Sequence, residues 1–438
     1  VRAGSSSNDY GRDRLPLKPD TLWSSELLES IMAGPLKGIK IVDLTTVISG
    51  PSATMLLADQ GADVIKVESI TAPDHARGAG YGSQTFTTVF LNNNRNKQAL
   101  ALDLKKPEGR QALLAVAKDA DVVIQNFRPG VVERLGVAYD DVVAVNPEVI
   151  YVSISGFGET GPLSHKPVYD PIIQAVSGLA TIQGGSDELR PRLVRTILPD
   201  KLTGLVTAQA ISSALVHKAR SAEGQHVRVS MLDAVVNFLW SSDMGSQTFV
   251  DHEVSQQRAA TFIDLIYETQ TRYISVSAMA NKQWLGLCDA VGHPEWKADE
   301  RFTTPALRDR NADVRLQMTQ DALLTDTAEH WLERLEAAGV PCAPVLTRNE
   351  MIQHPQVSAN QLLFEIEHPV AGKIRQARPA ARFSRSSPEQ RMPAPRHGEH
   401  TRALLKASGL SDSQIESLIE QGIAYDGARD LSSLQDQS

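Results

Sequence analysis

One stretch near the N-terminal third restricts the fold more than any other. Ile39-Lys40-Ile41-Val42-Asp43-Leu44 is a short apolar run of the kind that forms a buried strand. Ser49-Gly50-Pro51 breaks it, Ser52 to Gln60 reads as a helix with Met55, Leu56 and Leu57 on its apolar side, and Gly61 closes that helix. Val64-Ile65-Lys66-Val67 then gives a second strand ending in Glu68. Strand, turn, helix, strand and acid make one half of a doubly wound α/β sheet. The turn is not GxGxxG, so a dinucleotide fingerprint is absent, and Glu68 alone is weak support for a ribose contact.

The alternation continues. Leu100 to Leu104 reads as a strand, Pro107 starts a helix that runs to Lys118, and Val122-Val123-Ile124 is the next strand. It leads into Gln125-Asn126-Phe127-Arg128-Pro129-Gly130, which places amide, aromatic and guanidinium groups where open α/β sheets bind ligands. Val131 to Leu135 is a short helix and Val149 to Ile154 another strand. The glycine-rich loop Gly156 to Pro162 lacks the Lys-Ser/Thr ending of a phosphate-binding loop, which argues against nucleoside triphosphate chemistry. Further on come a strand at Gly224–Ser230, a helix from Met231 to Trp240, a strand at Tyr273–Ser277 and a helix around Trp284. A polar helical region from Arg301 to about Ala338 follows, and Arg402 to Leu410 forms a last helix.

With 438 residues and 42% hydrophobic side chains, the chain can bury more than one core. A formal charge of -8 gives no global basic field, so nucleic acid is not expected as a partner. Cys288 and Cys342 form neither a CxxC nor a CxxH pattern, so no disulfide framework or zinc site is indicated. No apolar run is long enough for a membrane helix. A cytoplasmic protein with no metal and no permanently bound cofactor is the expectation. The segment before Met32 is aperiodic and has no secretory apolar core, so it reads as a flexible leader, with Met32 starting the folded protein.

Two further places carry candidate chemistry. In Leu198-Pro199-Asp200-Lys201-Leu202-Thr203-Gly204-Leu205, Asp200 lies at or just before the N-terminus of a helix. A carboxylate there either caps backbone N–H groups or, held ionised by the helix dipole, serves as a nucleophile. The local sequence leaves both open. His397 and His400, three residues apart, lack a third metal ligand at usable spacing and read as hydrogen-bonding groups at a helix start.

Several blocks taken in order resemble the class III CoA-transferases, the CaiB/BaiF family. They include Gly38 to Leu44, Gly50-Pro51, Gly61 to Glu68, Asn94-Arg95-Asn96-Lys97, Leu102 to Lys105, Asn126 to Gly130, Gly156 to Pro162, Tyr169-Asp170 and Gly398 to Thr401. The resemblance runs from about Leu36 to Ile423. It implies a Rossmann-like large domain formed from the N- and C-terminal parts of the chain, a smaller inserted α+β domain, and two subunits interlocked as a homodimer. The expected division is a leader at 1–31, the large domain at 32–225 and 336–425, the small domain with its linkers at 226–335, and a disordered tail at 426–438.

The family's catalytic aspartate maps onto Asp200, rather than onto the other tempting acid, Asp170. The implied substrates are an acyl-CoA donor and a small carboxylic acid acceptor. The implied coenzyme A contacts are Val47, Ile48, Ser49, Leu102, Lys105, Asn126, Phe127, Arg128, Arg134, Lys166 and Tyr169. Lys105 and Arg134 suit phosphate oxygens, and Phe127 offers an apolar surface. Where formyl-CoA transferases carry a glycine-rich loop, Ala278 to Gln283 has no glycine, and Ser69 stands where some members place arginine. Both differences argue against oxalate or formyl-CoA as substrate. A racemase of α-methylacyl-CoA, the nearest alternative, pairs its aspartate with a histidine, and this chain has Tyr169 in that place. A non-catalytic CoA-binding protein is the other alternative. Arg192 and Arg195 are candidates for clamping the second carboxylate of a dicarboxylic acceptor.

Overall fold

The structure, a computed structural model, describes residues 34–78, 82–83, 86–251, 265–386 and 391–428. Its centre is a seven-stranded sheet. Six strands are parallel: β1 (Lys40–Asp43), β2 (Asp63–Glu68), β3 (Lys97–Leu102), β4 (Val122–Gln125), β5 (Ile150–Ser155) and β6 (Gln225–Ser230). They lie in the order β3-β2-β1-β4-β5-β6, and the C-terminal strand Ala424–Tyr425 adds antiparallel to the free edge of β3. Both ends of the described chain therefore build one sheet.

The strands read as continuous apolar runs because both faces are covered. Ile41, Val64, Ile124 and Val152 face α1 (Ser49–Asp59) and part of a 24-residue helix, Leu198–Ser221. Val42, Val67, Leu100 and Val123 pack on the opposite side, with the helices Pro107–Ala117, Thr401–Ala407 and Asp412–Glu420. The chain first builds outward from β1 to β2 and β3, then returns to β4 on the other flank of β1. The order of strands thus reverses between β1 and β4, which opens a crevice at their C-terminal ends.

β3 departs from the expected strand at Leu100 to Leu104. It starts at Lys97, after Asn96 turns the chain with φ +61°, and ends at Leu102. Lys97 was unreadable as a strand residue because it is charged, yet its Nζ is buried and donates to Asp43 Oδ2 (3.0 Å), Pro51 O and Asn94 Oδ1 (both 2.9 Å). At the other flank, the expected 225/226 boundary cuts β6. That strand belongs to the large sheet, where Tyr151 registers with His226 and Ser153 with Arg228.

A separate core surrounds Trp284, Phe302 and Trp331. It is formed by the antiparallel strands Ile266–Glu268, Tyr273–Val276 and Cys342–Pro344 with the helices Asn281–Ala290, Ala312–Leu323 and Ala328–Ala337. Cys342–Pro344 lies beyond the expected 335/336 boundary.

Toward the C-terminus, Thr401–Ala407 is not the last helix. Ser411 opens another, Asp412–Glu420, through a capping box with Gln414. His400 Nδ1 accepts from the Ala99 N–H (3.2 Å), and His397 Nε2 donates to Ser69 O (3.1 Å), so both histidines tie this segment to the sheet. Gly427 N–H donates to Gly398 O (3.0 Å), so the ordered chain continues past residue 425. The expected leader at 1–31, the start at Met32 and residues 429–438 of the expected tail lie outside the described residues. Among the described residues, no group of three or more His, Cys, Asp or Glu side chains is placed to hold a metal ion. None of the described helices is long and apolar enough to cross a membrane.

Candidate active site

The crevice between β1 and β4 is built on buried charge. Asp43, at the end of β1, accepts from the Thr45 N–H (2.9 Å), the Thr54 hydroxyl (2.6 Å) and Lys97 Nζ (3.0 Å). Burial pushes its carboxyl up, but Lys97, then Lys66 and the threonine hydroxyls outweigh burial and hold it at about 2. Beside it, Lys66 Nζ donates to Thr45 O (2.9 Å) and Asp74 Oδ2 (2.8 Å). Asp74 Oδ1 accepts the Val47 N–H (2.9 Å). From β4, the Asn126 side chain closes a pair of hydrogen bonds with Thr46, accepting its N–H and donating to its carbonyl, both 2.9 Å. These contacts hold Val47 at φ +72°, a conformation a β-branched residue adopts only when its surroundings impose it.

Asp200 meets this loop from the other side. We label α2 the helix Asp170–Val176, and α3 the long helix Leu198–Ser221 that carries Asp200 in its first turn. α3 packs against α1 where Gly204 has no side chain. A Cβ there would lie 2.1 Å from Ser52 Oγ and 2.9 Å from Ser49 O. This close approach brings the start of α1, with Ser49, to the start of α3. The capping role left open by the sequence is not the one Asp200 plays: the N-cap is Ile197, and no side chain caps the helix. Asp200 therefore sits in the positive end of a helix without being consumed by a cap bond. Burial and then the charge of Asp170 push its carboxyl up to about 6, while the Ser49 N–H and hydroxyl pull the other way.

Asp170, the first residue of α2, is only 4% exposed. Its Oδ1 accepts from Gln174 Nε2 at 2.6 Å, and Gln174 is itself pinned to the backbone of Val194 (2.9 and 3.2 Å). Its Oδ2 is buried and has no hydrogen-bond partner among the described residues. Burial raises its titration as well; the Gln174 amide, the Asp200 backbone N–H and Lys201 act against that rise.

The residues expected to contact coenzyme A fall into several places. Val47, Ile48, Ser49 and Asn126 share the crevice with Asp200. Phe127 and Arg128 line a cleft of about 240 Å³ on the other face of the sheet, with Ser153, Tyr139 and His226. There the Phe127 N–H donates to Gln125 Oε1 (2.7 Å), Gln125 Nε2 to Ser153 Oγ (3.0 Å), and Ser153 Oγ meets His226 Nε2 (2.8 Å). Tyr139 stacks on His226 with ring centroids 4.8 Å apart. Ser153 and His226 line this cleft as polar side chains within the strand runs β5 and β6, where the sequence pattern pointed to no ligand contact.

Arg134 is exposed on the short helix Val131–Leu135 and Lys105 is exposed just after β3. Lys166 and Tyr169 are exposed in the segment leading to α2, with Tyr169 73% open to solvent. Arg192 and Arg195 are exposed before α3. Leu102 is fully buried in the core, so only its backbone is available to a ligand. Glu68 is closed to a ribose: Arg77 holds it through two bonds, 2.8 and 2.7 Å. Burial acts to raise Glu68, but Arg77 and then Lys66 keep it at about 2.

Comparisons with known proteins cover most of the chain. The profile of CoA-transferase family III matches residues 36–401. The chain is 33% identical over 399 residues to human succinyl-CoA:glutarate CoA-transferase, covering 89% of this chain and 90% of that protein. It is 34% identical over 381 residues to acetyl-CoA:oxalate CoA-transferase of Acetobacter aceti, covering 85% and 95%. Among solved structures, a CaiB/BaiF family protein from Brucella suis superposes with a TM-score of 0.75 at 28% identity, over 86% of this chain and all of that one (100%).

Proposed function

The chain belongs to CoA-transferase family III, and from that premise we propose that it moves coenzyme A from an acyl-CoA donor to a free carboxylic acid, with Asp200 as the attacking carboxylate. The observation that carries this reading is the position of Asp200: in the first turn of α3, unused as a cap, at the crevice where the strand order reverses. Its carboxylate attacks the thioester carbonyl carbon; a C–O bond forms, the C–S bond breaks, and the electron pair leaves as CoA thiolate. The thiolate then attacks the Asp200 carbonyl of the mixed anhydride and expels the donor acid, leaving an aspartyl-CoA thioester. An acceptor carboxylate repeats the two exchanges in reverse. An acid titrating at about 6 is ionised at neutral pH yet more basic than an ordinary aspartate, which favours attack. The Ser49 N–H and hydroxyl, which already favour the charged form of Asp200, are donors available to the oxyanions that form in these steps.

In the same reading, Val47, Ile48, Ser49 and Asn126 hold the thioester end of coenzyme A, Phe127 and Arg128 its far end, and Lys105, Arg134 and Lys166 its phosphates. Tyr169 and the backbone of Leu102 complete the contacts. The acceptor is a dicarboxylate, as in the relative named for glutarate, with Arg192 or Arg195 pairing the second carboxylate. The subunit pairs as an interlocked homodimer. The exposed apolar Ile172, Val176, Leu205, Phe238 and Trp240, on helices packed together around the start of α3, support that assembly. Sedimentation analysis giving a monomer would count against it.

The test is an exchange assay with succinyl-CoA and a panel of mono- and dicarboxylic acids. New acyl-CoA is expected with the wild type, at a kcat/KM that falls as pH drops through about 6 because the nucleophile takes up a proton. Asp200→Ala abolishes exchange while keeping the fold. Undiminished turnover in that variant would refute the assignment, and exchange of the α-proton with deuterated solvent without acyl transfer would favour a racemase.

A further inference from the structure

Asp170 shares its surroundings with Asp200, yet the transfer steps above make no use of it. It is 4% exposed, one of its oxygens has no partner among the described residues, and it lies at the start of a helix packed on α3. A bare, buried carboxylate oxygen is strongly unfavourable unless it is protonated or paired. The groups that face it are few. Gln174 on its own helix donates to Oδ1, and from α3 come the Asp200 carboxyl, the Asp200 backbone N–H and the Lys201 ammonium. Lys201 is drawn aside, donating to Thr196 Oγ1 at 2.7 Å. From α1 the Ser49 N–H and hydroxyl act on Asp200. Among the described residues Asp170 forms no ion pair, and Lys201 acts on it only through its field.

We propose that Asp170 is a positioning residue that couples to Asp200 as an acid pair holding one proton between them, so that loss of this proton sets the pH at which the nucleophile becomes available. Two carboxyls on packed helices, one of them buried with an unpartnered oxygen and each raised by its surroundings, do not both ionise at the pH of an ordinary aspartate. Both carboxyls are raised, so the pair gives up its first proton above the ordinary aspartate range and its second only at higher pH; only then is Asp200 a free anion. When Asp200 is converted to its anhydride or thioester, its charge disappears and Asp170 no longer has a like charge beside it. The pair thus resets after every half-reaction, and the transfer steps themselves keep the atoms and electrons already balanced above. This rests on the reading of Asp200 as nucleophile.

Asp170→Asn keeps an acceptor for Gln174 and places an N–H donor where the bare oxygen was. Expected is a kcat/KM profile for succinyl-CoA exchange whose acid limb moves down by about one pH unit, with the neutral plateau within about threefold of wild type, the change of a mild perturbation. A lower plateau with the limb unmoved would overturn the proposal, since that is how a purely structural residue behaves. Infrared spectra of unmutated protein carrying ¹³C-aspartate give a second reading that needs neither the variant nor turnover. A carboxylic-acid carbonyl band that titrates out near pH 6 is expected; its absence just below that pH overturns the acid pair. A wild type that titrates so but never exchanges acyl groups would fail the functional reading instead.

Discussion

At the residue scale, reactivity depends on what surrounds one carboxylate. Asp200 was readable as an acid at a helix start, but its surroundings were not. The sequence suggested that the helix would keep it ionised; burial and Asp170 raise it to about 6, so it is ionised at neutral pH but takes up a proton sooner than an ordinary aspartate as pH falls. The reason is that Asp170 is thirty positions away in the chain and reaches Asp200 only through the packing of α2 on α3. Gly204 is a second residue whose meaning appears only in three dimensions. In sequence it looks like a weak point in a helix, whereas in the fold it is where α3 touches Ser49 and Ser52. Gly204→Ala should cost about 1–3 kcal/mol and, by moving Ser49 from Asp200, lower kcat more than it raises KM. Denaturant unfolding together with steady-state kinetics checks this. A stabilised variant with normal turnover would mean the contact is not close.

Among the elements, the loop between β1 and α1 shows how far a sequence pattern reaches. The β1–α1–β2 unit was plain from its apolar runs and Gly61, and so was the crevice after β4, because each strand sits near a turn signal. What holds that loop was not. Lys66 and Lys97 look like surface charges, yet both are fully buried and reach Thr45 O, Asp74, Asp43 and Pro51 O. Burial lowers Lys97 to about 8 although Asp43 counters part of that shift. Removing one partner from such a pair leaves a buried charge uncompensated. Lys97→Met is expected to destabilise the protein by about 3–5 kcal/mol. Asp43→Asn in the same chain should recover part of the loss, a coupling that a double-mutant cycle measures. Additive costs would show that the two groups do not depend on each other. The C-terminal helix Asp412–Glu420 was legible in principle, through Ser411 and Gln414, but the neighbouring glycine and polar residues hid it.

Across the whole molecule, the functional acids and the structural acids oppose each other in their dependence on pH. Asp43 and Glu68 are held at about 2, below their unfolded values. Their contribution to stability is therefore complete above about pH 4 and lost as pH falls through the folded value. Asp200 is raised to about 6, so the folded protein retains its proton longer than the unfolded chain, and stability from this group is lost as pH rises from about 4 through 6. Asp200→Asn should accordingly be inactive yet more stable than wild type at pH 7.5, by on the order of 1 kcal/mol, with little difference at pH 4. Thermal melts at the two pH values test the sign; equal shifts at both would contradict it. The parallel, doubly wound sheet was legible from the strand runs, whereas the joining of the chain's two ends was only what the family resemblance implied. The places where the segments meet were not, because β6 and Cys342–Pro344 are defined by their pairing partners rather than by their own composition.

The most direct test of the central claim is to trap the enzyme-bound intermediate. Wild-type protein is incubated with succinyl-CoA alone, quenched with hydroxylamine and digested, and the peptide containing Leu198 to Leu205 is sequenced by mass spectrometry. A hydroxamate on Asp200 is predicted, increasing with donor concentration and missing from protein treated with free coenzyme A. An unmodified Asp200, or a hydroxamate on Asp170 or elsewhere while acyl exchange proceeds, would contradict it.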